Sequence, residues 1–73
     1  MAMQIRVSDP NLVGDLRATL ERAQCPVEAR GMNLLAVSSP SSLLTPEQAR
    51  REIGFYVAAW QVRHPGAHAE FLD

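Results

Sequence analysis

Val27-Glu28-Ala29-Arg30-Gly31-Met32-Asn33-Leu34-Leu35-Ala36-Val37-Ser38 is the stretch on which the fold turns. Val27 to Arg30 alternates apolar and polar residues, the period of a strand with one covered face. Gly31 and Asn33 are residues that tolerate the positive φ angles of tight turns. Leu34 to Ser38 is more continuously apolar, which suits a central strand. Two such runs around a Gly- and Asn-containing turn read as a hairpin. The alternative merges them into a single bent strand. The two readings give different sheets.

Upstream, Cys25-Pro26 marks the end of a helix, because the residue before a proline is pushed out of helical geometry. That helix opens at Asp9-Pro10. Asp9 can cap free backbone N–H groups, and Pro10 suits a first helical position. Its apolar residues, Leu12, Val13, Leu16, Leu20 and Ala23, form one stripe. Gly14, Arg17, Ala18, Glu21 and Arg22 fall on the outer side, with Arg17 and Glu21 spaced to pair. Before it, Met3-Gln4-Ile5-Arg6-Val7-Ser8 alternates as a strand does, with Met3, Ile5 and Val7 towards a core.

Downstream, residues 39–44 are loop by composition. Thr45-Pro46-Glu47-Gln48 is a strong helix start, with Thr45 as cap and Gln48 completing a capping box. The helix is expected to run to Arg63 or His64, where Pro65-Gly66 stops it. Ala67 to Leu72 has the alternation of a last strand. The order is strand, helix, strand, strand, helix, strand over residues 1–73, a single α+β domain. It predicts a ferredoxin-like βαββαβ two-layer sandwich, with the first and third strands central and both helices on one face. If the hairpin fails, the alternative is βαβαβ with a three-stranded parallel sheet.

The second helix carries more apolar surface than a sheet can use. At about 100° per residue, Ala49, Ile53, Tyr56, Val57 and Trp60 share one face. Phe55, Ala58, Ala59 and Val62 lie nearly opposite, at the i, i+3, i+4, i+7 spacing of a packing stripe. These four residues are the candidate interface, for a second copy or a partner protein. The open face of the sheet, with Gln4, Arg6, Glu28, Arg30, Leu34, Ala36, His68 and Glu70, is mixed in charge and reads as solvated.

Composition narrows the function. The chain has 73 residues, a net charge of −1 and no lysine. That balance argues against nucleic acid, whose phosphates call for clustered Lys and Arg. The central strands also lack the aromatics of an RNA-stacking sheet. No apolar run approaches the roughly 20 residues of a membrane span. Cys25 is the only cysteine, so no disulfide forms within the chain, and a reducing, cytoplasmic setting is expected. A chain this short has a thin stability margin, which self-association can widen.

Chemical motifs are weak. His64-Pro65-Gly66-Ala67-His68, with Glu70 and Asp73, has metal-ligand residue types, but Pro65 and Gly66 break any helix that would align the histidines. Cys25 sits at a helix C-terminus, where the dipole disfavours a thiolate. The serines of residues 38–42 precede a helix N-terminus, without the glycines or lysine of a phosphate loop. No nucleophile, acid–base pair, cofactor site or metal cluster stands out, so an enzyme is not expected.

Val7-Ser8-Asp9-Pro10-Asn11-Leu12 resembles the entry to the first helix of ACT-type regulatory domains. That resemblance implies amino-acid binding at an interface between paired sandwiches. Where such domains carry a glycine after the proline, this chain has Asn11. The expected function is a small non-catalytic protein-interaction module that self-associates through its second helix. The alternative is a small-molecule-binding regulatory domain of ACT-like type.

Overall fold

The computed structural model describes residues 3–39 and 43–72. Its strands are β1 (Met3–Val7), β2 (Val27–Ala29), β3 (Leu34–Val37) and β4 (Ala69–Phe71), and its helices are α1 (Val13–Arg22) and α2 (Pro46–Arg63). The strands form one four-stranded sheet in the order β2-β3-β1-β4, and every neighbouring pair is antiparallel. The protein is thus a small α+β structure of one sheet and two helices.

The decisive hairpin forms. Val27 stands opposite Val37, Glu28 opposite Ala36 and Ala29 opposite Leu35. The Arg30 N–H donates to Leu34 O at 2.8 Å and closes the turn, and the Ser38 N–H donates to Pro26 O at 2.9 Å at the open end. The three-stranded parallel alternative therefore gives way. The turn does not use the backbone freedom expected of it: neither Gly31 nor Asn33 has a positive φ.

The one positive φ among the described residues belongs to Gln24, at 65°. It ends α1. The Gln24 N–H donates to Glu21 O at 2.9 Å and the Cys25 N–H donates to Leu20 O at 3.0 Å. These are the two bonds of a Schellman turn, and Leu20 and Cys25, the positions that carry the apolar pair of that motif, are both buried in the core. Glycine usually holds the left-handed position because it has no Cβ to clash.

The start of α1 also differs from expectation. Pro10–Leu12 is a 3₁₀ turn, and the α-helix begins at Val13. The Asp9 carboxylate accepts from the Asn11 N–H at 2.9 Å, and the Leu12 N–H donates to Asp9 O at 3.0 Å. Bonding over three residues winds the first turn tighter than an α-helix. The capping box of α2 forms as read: the Gln48 N–H donates to Thr45 Oγ1 at 3.2 Å, and the Thr45 N–H donates to Gln48 Oε1 at 3.0 Å.

Burial follows the alternation in β1, where Met3, Ile5 and Val7 are covered and Gln4 and Arg6 are exposed. They join Leu35 and Val37 of β3, Val13, Leu16 and Leu20 of α1, and Ala49, Ile53, Val57 and Trp60 of α2 in one core. Both helices therefore cover the same sheet face. On the other face Arg6 sits beside Leu34 and Glu70, and its guanidinium pairs with the Glu70 carboxylate. Ala36 lies between Gln4 and Glu28 and is covered. The last strand is shorter than the alternation suggested. Gln61 of α2 explains where it begins, since its amide donates to Ala67 O and accepts from the Ala69 N–H.

Candidate interaction surface on the second helix

Helical periodicity places the four predicted interface residues on the side of α2 away from the sheet. The inner side is spent on the core: Ala49, Ile53, Val57 and Trp60 are buried, and Tyr56 is half-buried. On the outer side Phe55 is 70% exposed and Val62 is 81% exposed, and Ala58 and Ala59 between them are exposed as well. A phenylalanine left open to that degree forgoes about 1–2 kcal/mol of burial. Among the described residues its ring pairs with the edge of Tyr56, at 6.0 Å and 76°.

The apolar surface continues past Phe55 into a groove lined by Leu44, Gln48, Arg51, Glu52, Phe55 and Tyr56. The groove is wide open to solvent along its length, the form of a docking surface rather than an enclosing pocket. Charges border the stripe. Glu52 stands on one flank near the N-terminal half, and Arg63 stands on the same flank in the last turn. Neither has an ion-pair partner among the described residues. By contrast Arg50, on the β4 side, lies over the Phe71 ring at 4.9 Å.

The chemical candidates are held in structural contacts. His64 stacks on Trp60 with centroids 4.5 Å apart. Its Nδ1 lies 3.0 Å from Trp60 O, and its Nε2 lies 3.4 Å from the Asp15 carboxylate of α1. The Trp60 indole N–H donates to the same carboxylate at 3.3 Å. This clasp between the helices spans residues 45 apart in the chain, so no local pattern announces it. His68 is elsewhere, where its backbone N–H donates to Ser8 Oγ at 2.7 Å. The pair is thus not brought together, and among the described residues no cluster of three metal-ligating side chains occurs. Asp73 and the serines at 41 and 42 lie outside the described residues.

Cys25 is covered, with its thiol 3.9 Å from Ala23 O. Burial pushes the thiol above its ordinary range, and the nearby Glu52 carboxylate adds to the shift. Both effects oppose the thiolate that a nucleophile needs. Beside the segment that resembles ACT-type domains, Arg6, Ser8, Asn33, His68 and Glu70 line a cleft of 220 Å³. That is below the roughly 300 Å³ at which ligand pockets begin. Among the described residues no helix is long and apolar enough to cross a membrane.

Comparison with protein-family models, with curated proteins and with solved structures gave no match.

Proposed function

We propose that the chain is a small non-catalytic interaction module of ferredoxin-like architecture whose second helix binds a second copy of the same chain. The sheet order β2-β3-β1-β4, antiparallel throughout, supports the architectural reading, since it puts the first and third strands at the centre. One observation carries the functional reading. Phe55 and Val62 are large, apolar and 70% and 81% exposed, at the ends of a helical stripe opposite the face that covers the sheet. Isolated exposed apolar residues are ordinary, but a second complete packing stripe on one helix is not needed for folding.

A second copy fits because the stripe runs large, small, small, large. Such a sequence can pack on its own copy, large beside large and small beside small, in a two-fold interface that uses the same patch on both chains. The small alanines let a second helix approach closely. Size-exclusion chromatography with light scattering tests the reading. The native chain should run as a dimer, and Phe55→Arg should run as a folded monomer with unchanged far-ultraviolet dichroism. A native monomer, or a dimer indifferent to Phe55→Arg, would sink it.

The alternative is a small-molecule sensor of ACT-like type, favoured by the polar cleft beside Ser8. It calls for a thermal shift with an amino acid from a panel. A self-associating module calls for none.

A further inference from the structure

Resting on the reading that α2 is a self-association surface, we infer how the two copies are oriented: α2 pairs with α2 of the second copy in antiparallel fashion, about a two-fold axis between Ala58 and Ala59. A closed pair of identical chains is related by a two-fold axis. Two helices can meet around such an axis in only two ways. If the axis runs along the helices they are parallel, and only residues on the line of contact face their own counterparts. If it runs across them they are antiparallel, and residues equidistant from the axis face each other.

The side chains discriminate between the two. In the parallel arrangement, Phe55 meets Phe55 and Val62 meets Val62. An axis along the helices turns the flank that carries Glu52 and Arg63 to opposite sides of the pair in the two copies, and Glu52 and Arg63 also stay about 16 Å apart along the helices, so neither reaches the other. In the antiparallel arrangement Phe55 lies opposite Val62 of the second copy, because the two are equally far from the midpoint of the stripe. The alanine pairs flank the axis itself, where the backbones approach most closely. Glu52 and Arg63 lie on the same flank of α2, at 100° per residue, and an axis across the helices brings that flank against itself in reverse order. Glu52 then faces Arg63 of the second copy at nearly the same level, twice per dimer. Both groups are exposed, and neither has an ion-pair partner within its own chain among the described residues. The antiparallel pairing gives each of them one. Such rim pairs set orientation more than affinity.

Charge reversal tests the orientation. Sedimentation equilibrium on the full chain would compare the native protein with Glu52→Arg, Arg63→Glu and the double variant, with thermal melts to show that each is folded. Each single reversal should weaken the dimer about tenfold, equivalent to about 1.4 kcal/mol, because two attractive contacts become repulsive. The double variant should return to within about twofold of the native protein, as swapping both partners keeps each pair opposite in sign. Salt sharpens the result: added salt should weaken the native and double-variant dimers and strengthen the single-variant dimers, because it screens attraction and repulsion alike. A native dimer that Phe55→Arg disrupts but that ignores both reversals, or whose double variant is no tighter than the singles, overturns the antiparallel register and leaves the interaction surface standing. A dimer that ignores Phe55→Arg as well overturns both.

Discussion

The two helices share the same sheet and the same core, yet only one of them is fully accounted for by that role. Every buried residue of α1, Val13, Leu16 and Leu20, lies on one stripe. Its outer side is Gly14, Arg17, Ala18, Glu21 and Arg22, with Arg17 and Glu21 3.7 Å apart in a surface pair. In α2 the inner stripe of Ala49, Ile53, Val57 and Trp60 does the same work, and a second stripe remains. The contrast separates what folding demands of a helix from what it does not. α1 is the internal control: a helix in this molecule, on this sheet, with no apolar surplus.

The inner face of α2 is where the comparison predicts the largest effect. Trp60 is the largest fully buried side chain, and its indole N–H reaches Asp15 on α1. Trp60→Ala should lower stability by about 3–5 kcal/mol, read as a reduced midpoint in urea unfolding. A smaller loss, under about 1 kcal/mol, would mean that the inner face is not a packed core face, and the division of α2 into two stripes would fail.

The end of α1 predicts a smaller effect of opposite sign. Gln24 holds a left-handed conformation at φ 65°, and it closes a Schellman turn. A side chain there opposes the geometry, and glycine removes that opposition. Gln24→Gly should raise stability by about 0.5–1 kcal/mol, the excess of relieved strain over the added chain entropy of glycine. Thermal denaturation by circular dichroism would check it, and a destabilised variant would show that the turn depends on the glutamine side chain. Association should not change, because the substitution leaves Phe55, Ala58, Ala59 and Val62 in place. The same variant thus asks whether α1 stands apart from the interface.

The features legible in the sequence are the local ones. Alternation in Met3 to Val7 and the capping box at Thr45 and Gln48 depend on neighbours a few residues away, and both appear where the pattern puts them. The hairpin was also legible, although its turn takes ordinary φ values at Gly31 and Asn33. Composition marked the turn correctly while misjudging its geometry. Pro10 suits the first residue of an α-helix by composition, but the short reach of Asp9 winds a 3₁₀ turn instead. The Asp15–Trp60–His64 clasp and the Gln61 bridge to β4 were not legible, because each joins residues that only the tertiary fold brings together. Of the candidate surface, helical spacing supplied Phe55, Ala58, Ala59 and Val62. The bordering charges carry no such local signal, since their meaning depends on which flank of the folded helix stays open.

The smallest expected effect on stability bears most directly on function. Phe55→Ser exchanges residues of similar helix propensity at a position 70% exposed. At concentrations low enough to dissociate a dimer, the change should alter stability by no more than about 0.5 kcal/mol. A large loss there would mean that Phe55 supports the fold, and α2 would then resemble α1 in spending its apolar surface internally. At high protein concentration the two chains should diverge. Association stabilises the folded state by mass action, so the melting temperature of the native chain should climb with concentration. That of Phe55→Ser should stay flat. A native melting temperature that does not respond to concentration would remove the reason for treating the outer stripe as an interface. A climb that Phe55→Ser abolishes, with dilute stability unchanged, locates the surplus of α2 in what a second chain covers.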